Sequence, residues 1–182
     1  MTPFKPLAAS TLTTRRAVVR YAALAAAGLG LAGCGFRLRG NQAFAFTRIA
    51  ITPSPGGAVA QELRNSFGSA VQVLVADSPA TPAQLVLHVL DAQREKVVVG
   101  VNASGQVREF QLRLRVRLSL RTAKGKEIIV DDEIVQQRDI SYNESAALAK
   151  EAEEALLYRD MQTDIVQQIL RRLAAVQPGQ LD

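Results

Sequence analysis

The stretch from Val107 to Arg121 alternates between apolar and polar side chains over most of its length. Every even position from Phe110 to Leu120 is apolar, whereas the odd positions from Glu109 to Arg121 are all polar and include four arginines. A period of two places alternate side chains on opposite faces of a β-strand. The stretch therefore predicts a strand about 50 Å long, at about 3.3 Å per residue, with one buried face and one face that carries guanidinium groups.

A hydrophobic ridge of this length needs neighbouring strands and a covering layer. The rest of the chain predicts both, because apolar runs of strand length and two amphipathic helical patterns are separated by turns rich in Gly and Pro. We therefore expect an α+β two-layer sandwich, with a mostly antiparallel sheet of about four or five strands and two helices on one face. The predicted strands are Arg48–Thr52, Val71–Asp77, Leu85–Val99, Gln106–Arg121 and Glu127–Ile140, and the predicted helices are Ala58–Ser69 and Glu144–Val176.

Charge predicts how the last two strands pair. A three-residue loop, Lys124 to Lys126, would place Arg117 opposite Glu133. The same register would bring Val116 opposite Ile134 and Leu120 opposite Val130, so that apolar side chains meet on the buried face.

The last helix is predicted to begin after a cap at Asn143 or Ser141. A break near Tyr158 to Asp160 is left open, because Arg159 and Gln162 interrupt the apolar pattern. The stripe that we expect to face the sheet consists of Leu148, Ala152, Ala155, Val166, Ile169, Leu170 and Leu173.

The first 33 residues have the pattern of a secretory signal. Arg15, Arg16 and Arg20 precede the apolar run Tyr21 to Leu31, which is shorter than the ~20 residues that a membrane span needs. The run ends in Leu-Ala-Gly-Cys34, which resembles the lipobox of bacterial lipoproteins and implies cleavage before Cys34 and a diacylglycerol thioether and N-acyl chain on that cysteine. We expect residues 1–33 to be a lipoprotein signal peptide and residues 34–182 to be a single domain. The alternative is a membrane anchor that ends in a chance cysteine, and the arginine pair leaves Sec and twin-arginine export both open.

The net charge of +5 is unevenly distributed. The predicted signal peptide holds four of the 22 Lys/Arg residues and none of the 17 Asp/Glu residues. In the remainder, the part before Glu127 is basic and the part from Glu127 onward is acidic. Two such parts attract each other within one fold, which argues against a nucleic-acid-binding protein with one open basic surface.

Three stretches together resemble the LptE family of lipopolysaccharide-assembly lipoproteins. They are Cys34 to Gly40 (CGFRLRG), Gly105 to Leu112 (GQVREFQL), and the helix segments Leu156 to Met161 and Gln167 to Leu173. The resemblance implies an α/β sandwich that is lipid-anchored on the periplasmic face of the outer membrane. It also implies that the protein binds lipopolysaccharide and plugs an LptD-type β-barrel. Lipoproteins that stay in the inner membrane often have Asp directly after the cysteine. This chain has Gly35 there, so the resemblance to lipoproteins implies transport to the outer membrane.

If lipopolysaccharide is the ligand, arginines are suitable contacts, because the guanidinium group binds phosphate bidentately and stays charged. The candidate ligand-binding residues are Arg113, Arg115, Arg108, Arg94 and Lys96. Arg113 and Arg115 have the alternative of ion pairs with Glu133 and its neighbours, and for Arg117 the ion pair is the preferred interpretation. The other alternative function is a lipid-anchored module that binds a different polyanion or glycolipid without a barrel partner.

No pattern in the chain predicts an enzyme. His88 is the single histidine and is expected to be a hydrogen-bonded residue of the core. Asp131, Asp132 and Glu133 alternate between the faces of a strand, so they predict partners for arginines rather than a metal site. We therefore expect no catalytic residues, no metal and no cofactor other than the lipid on Cys34.

Overall fold

The structure is a computed structural model that describes residues 42–74 and 82–181. The predicted signal peptide, Cys34 and residues 75–77 of the predicted second strand lie outside these ranges. The described strands are β1 Arg48–Thr52, β2 Gln72–Leu74, β3 Leu85–Val101, β4 Val107–Thr122 and β5 Glu127–Ser141. The α-helices are α1 Ala58–Ser66 and α2 Ala147–Ala174, and 3-10 helices occupy Glu144–Ala146 and Pro178–Gln180.

The five strands form one sheet in the order β2-β1-β3-β4-β5. The long strands β3, β4 and β5 pair antiparallel, whereas β1 pairs parallel with both β2 and β3. Helix α1 lies in the chain between the parallel strands β1 and β2, as a parallel connection requires. The predicted α+β sandwich is therefore confirmed, and the parallel edge is an addition to it.

The core lies between the helices and one face of the sheet. The even positions of β4 from Leu112 to Leu120 are at most 3% exposed, as the alternating pattern predicts. Helix α1 contributes the predicted residues Val59 and Leu63, and Phe67 just beyond its end is buried with them. The opposite face of β3, β4 and β5 is called the open face below, and it carries the odd positions of β4.

The predicted register of β4 and β5 is correct over part of their length. Arg117 pairs with Glu133 and Val116 with Ile134, but Leu120 pairs with Ile129 instead of Val130. An irregularity between Leu118 and Leu120 gives β5 one extra residue there, which is the property of a β-bulge. Val130 is 64% exposed as a result.

Helix α2 is continuous, without the break that the sequence left open. Val166, Ile169, Leu170 and Leu173 are buried as predicted. The prediction was wrong for the first turns of the helix, where Leu148, Ala152 and Ala155 are all exposed. These turns lie beside polar residues of β3, and the interior positions of the helix begin at Tyr158 and Met161.

Asn143 is the cap that the sequence proposed together with Ser141. Its Oδ1 accepts hydrogen bonds from the backbone N of Ser145 at 3.1 Å and from the Ser145 hydroxyl at 3.0 Å. We expect Asn143→Ala to lower the free energy of unfolding by about 1 kcal/mol, because the 3-10 turn before α2 loses its acceptor. Urea unfolding measures this change. Ser141→Ala is the matched control, and a loss as large as that of Asn143→Ala would contradict the assignment of the cap.

Candidate functional site

The arginine row of β4 lies on the open face between two strands that carry carboxylates. The guanidinium group of Arg115 is 3.6 Å from a carboxylate oxygen of Glu95 on β3 and 3.7 Å from one of Glu133 on β5. Arg117 forms a closer ion pair with Asp131, at 2.8 Å. Arg113 donates to the Gln111 side chain at 2.8 Å, and no described carboxylate lies within ion-pair distance of it. Much of the positive charge of this row is therefore compensated within the sheet.

The acidic triplet Asp131 to Glu133 of β5 pairs with arginines on both faces of the sheet. Asp131 and Glu133 reach the arginine row, whereas Asp132 points to the helix side and contacts Arg172 of α2. A second ion pair, Arg138–Asp164 at 2.8 Å, also joins β5 to α2. These contacts agree with the expectation that the three acidic residues are ion-pair partners of arginines.

Arg94 and Lys96 lie on the other face of the sheet from the arginine row. Lys96 pairs with Leu112 and Arg94 with Leu114, and both leucines face the helices. Residues directly opposite each other on neighbouring strands share a face. Arg94 and Lys96 therefore project toward the first turns of α2, and the five predicted ligand residues do not form one cluster.

A groove of about 530 Å³ separates the first turns of α2 from β3 near the β3–β4 hairpin. A smaller pocket of about 110 Å³ adjoins it and shares three of its residues. We call the two together the helix–hairpin groove. The larger part is lined by Arg94, Lys96, Glu151, Glu154, Ala155 and Tyr158, and the smaller part adds Phe110, Ile140, Ser141, Tyr142, Ala147 and Lys150.

Aromatic rings and one carboxylate hold the two cations that β3 contributes to this groove, Arg94 and Lys96. Lys96 Nζ donates to Glu154 at 2.6 Å and lies 4.4 Å from the centre of the Phe110 ring. The Arg94 guanidinium lies 5.0 Å above the Tyr158 ring. The Tyr158 hydroxyl donates to the backbone oxygen of Glu95 at 2.7 Å, and burial, followed by the charge of Glu154, raises the pKa of this tyrosine. Both cations thus occupy defined positions at the edge of an open cavity.

Lys150 is a member of the groove that the sequence analysis missed. Its Nζ donates to the Ser141 hydroxyl at 3.0 Å and to Glu153 at 2.8 Å, and the side chain lines the smaller pocket with Lys96. The sequence feature that could have indicated Lys150 is its position one turn into the last helix, which begins shortly after β5 ends. Arg108 lies apart from these residues, in a recess of about 130 Å³ formed with Gln106 and Asn143.

His88 is hydrogen-bonded as predicted, with Nδ1 2.6 Å from the Thr52 hydroxyl. Its predicted place in the core was wrong, because His88 pairs with Ser119 on the open face and is only partly buried. Burial, with a further contribution from Arg121, lowers its pKa. Within residues 42–74 and 82–181, no group of three or more His, Cys, Asp or Glu side chains is arranged to hold a metal. None of the helices in the same ranges is long and apolar enough to cross a membrane.

Comparison with known proteins shows that most of the described residues match the model of a known protein family. Residues 46–173 match the model of LptE, described as lipopolysaccharide-assembly. The chain is 30% identical over 149 residues to the LPS-assembly lipoprotein LptE of Photorhabdus laumondii, which covers 80% of this chain and 79% of the relative. It is 28% identical to the protein of the same name from Pectobacterium atrosepticum, over 82% of this chain and 81% of that one.

Solved structures show the same fold. An NMR structure of lipoprotein B from Nitrosomonas europaea superposes with a TM-score of 0.66 at 35% identity, and covers 78% of this chain and 91% of its own. The crystal structure of rare lipoprotein B from Shewanella oneidensis superposes with a TM-score of 0.59 at 19% identity, with 71% and 95% covered. The second similarity concerns the fold alone.

Proposed function

The chain belongs to the LptE family of lipopolysaccharide-assembly lipoproteins, and we propose that it binds lipopolysaccharide through the helix–hairpin groove at the outer membrane. We further propose that it supports an LptD-type β-barrel, as a lipid-anchored plug, while lipopolysaccharide is assembled at the cell surface. The two proposals are separable, since the first concerns a ligand of this chain and the second a protein partner.

The observation that supports ligand binding is the convergence of Arg94, Lys96 and Lys150 on one cavity. Phosphate is a good partner for this set, because guanidinium and ammonium groups donate charge-assisted hydrogen bonds to its oxygens. Arg94 stacks on Tyr158 and has no ion pair with a described carboxylate. It is therefore available to an anionic ligand at little desolvation cost.

We assign the arginine row to the sheet itself and to polar contact with a protein partner. Arg115 and Arg117 have carboxylates on the neighbouring strands, so an anionic ligand would have to displace these pairs. A face on which charges of both signs alternate is suited to a polar protein surface such as the interior wall of a barrel. In this assignment Arg113 and Arg115 contact the protein partner, and not the lipopolysaccharide ligand.

Affinity purification of the tagged, full-length protein from detergent-solubilised native outer membranes tests the partnership. We expect a large β-barrel protein and lipopolysaccharide to co-purify with it in stable amounts. Recovery of the protein as a lone monomer would contradict the partnership, and would favour a lipid-anchored module that binds a polyanion or glycolipid without a barrel.

The lipid anchor gives a separate prediction. We expect the intact mass of the membrane-extracted protein to correspond to a chain that begins at Cys34 and carries a diacylglycerol and an N-acyl group. The physical reason is that the thiol of Cys34 carries the diacylglycerol as a thioether, whereas cleavage before Cys34 frees the α-amino group that takes the N-acyl chain. Cys34→Ser should leave the precursor uncleaved and without lipid. A membrane form that retains an unmodified Cys34 thiol would disprove the anchor.

A further inference from the structure

The helix–hairpin groove holds carboxylates as well as cations. Glu151 and Glu154 line both of its parts, next to Lys96. Glu154 forms the ion pair with Lys96, whereas Glu151 has no ion pair or hydrogen bond with a described side chain. Arg94 is likewise without a carboxylate partner among the described residues. The groove thus presents one uncompensated cation and one uncompensated anion.

These two charges are separated along the groove, with Arg94 in its larger part and Glu151 where the two parts meet. Tyr158 of α2 contacts Arg94, and Glu154, one turn earlier on the helix, contacts Lys96. Glu151 is a further three residues toward the helix start, so it lies about 10 Å along the helix axis from Tyr158, at 1.5 Å per residue. The order along the groove is therefore Arg94, then the Lys96–Glu154 pair, then Glu151.

We infer that the groove selects a phosphate group that bears an amine, such as phosphoethanolamine, with the phosphate at Arg94 and Lys96 and the ammonium group at Glu151 and Glu154. This inference rests on the proposed function, since it names the chemical class of the ligand of the same groove. It goes beyond that function, because a polyanion alone would need only the cations.

The ion pairs explain the selection. A bare phosphate at Lys96 would lie close to the Glu154 carboxylate, 2.6 Å from the same ammonium group, and like charges at such distances repel. An amine on the phosphate replaces Lys96 as the partner of Glu154 and leaves Lys96 to the phosphate. One contact, Lys96 with Glu154, is thereby replaced by two, the amine with Glu154 and the phosphate with Lys96. Neither Lys96 nor Glu154 is left without a partner of opposite charge. Lys96 and Glu154 are 36% and 23% exposed in their side chains, so the exchange requires no deep desolvation.

The test compares two lipopolysaccharide preparations that differ only in phosphoethanolamine on their phosphates, in binding titrations with the full chain. We expect the amine-bearing form to bind about fivefold or more tightly. The double variant Glu151→Gln/Glu154→Gln should abolish this preference and should bind the unmodified form at least as well as the wild type. Glu151→Gln alone, at an exposed position, should reduce the preference without altering the fold. Glu127→Gln, an exposed carboxylate at the other end of β5, is the matched control and should leave the preference unchanged.

Equal affinity of the wild type for the two preparations would overturn the inference, and so would a double variant that keeps the preference. Neither result affects the proposed binding of lipopolysaccharide in the groove, which in this assay fails if loss of Arg94 and Lys96 leaves binding of both preparations intact. Vesicles of phosphatidylethanolamine and of phosphatidylglycerol identify the source of the group. A preference for phosphatidylethanolamine supports a phospholipid headgroup as a ligand, whereas a preference confined to lipopolysaccharide supports the modified sugar phosphate.

Discussion

The double variant Arg94→Gln/Lys96→Gln is expected to bind lipopolysaccharide at least about tenfold more weakly than the wild type. Both changes remove a charge that could form a charge-assisted hydrogen bond with phosphate, and the loss of one such contact at a partly exposed site corresponds to about 1 kcal/mol or more. Gln keeps a polar side chain of moderate length on each position, so the β3–β4 pairing is retained. A titration with purified lipopolysaccharide at fixed ionic strength gives the two dissociation constants, with circular dichroism to show that the variant is folded.

The matched control is Arg113→Gln/Arg115→Gln. It removes the same number of charges from the adjacent strand β4, but on the open face. We expect its affinity for lipopolysaccharide to stay within about twofold of the wild type, because both arginines lie on the face of the sheet away from the groove. Arg115 in addition interacts with Glu95 and Glu133, and Arg113 donates to Gln111. Weaker binding by the control, with normal binding by Arg94→Gln/Lys96→Gln, would move the ligand site to the arginine row.

Leu173→Ala is expected to lower the free energy of unfolding by about 3 kcal/mol. Leu173 is fully buried in the core near the end of α2, so the change removes apolar contacts and leaves a cavity. Leu148→Ala is the same substitution in the first turn of the same helix, where the leucine is 83% exposed. We expect Leu148→Ala to change the free energy of unfolding by less than about 0.5 kcal/mol.

Urea unfolding of the two leucine variants and the wild type, under identical conditions, measures this difference. The sequence places both leucines on one apolar stripe, and a helix buried along its whole length would make the two losses similar. Similar losses would therefore contradict the arrangement in which the first turns of α2 are exposed and border the helix–hairpin groove.

Strand β4 and the two-layer architecture were predictable because alternation over more than ten residues has one structural solution. The even positions from Leu112 to Leu120 had to share a face, and a face of that size had to be covered. The uneven charge distribution also had a structural meaning. The ion pairs Lys96–Glu154 and Arg117–Asp131 join the basic part that precedes Glu127 to the acidic part that begins there.

The composition of the site was not predictable, because it depends on which face each residue of β3 occupies. The ladder between β3 and β4 has an irregularity between Val89 and Asp91, and one extra residue reverses the face of everything that follows. Arg94 and Lys96 consequently face α2, away from Arg113 and Arg115. The first part of β3 is mostly apolar on both faces and the next part is mostly polar on both faces. Neither part alternates, so sequence periodicity cannot locate the irregularity.

Burial along α2 was not predictable for a related reason. Ala152, Ala155 and Leu148 continue the stripe of the buried second half, so periodicity assigns them to the core. Which part of a helix is buried depends on what lies opposite it, and here the opposing residues are the cations of β3. Because the first turns of α2 are exposed, the helix–hairpin groove remains open beside them.

The claim that the helix–hairpin groove is the lipopolysaccharide site is tested most directly by photocrosslinking in intact cells. A photoreactive amino acid such as p-benzoylphenylalanine replaces Ala155, which lines the groove, or Val135, which is 44% exposed on the open face. We predict a lipopolysaccharide adduct from position 155 and little or none from position 135. An adduct from position 135 without one from position 155 would contradict the account.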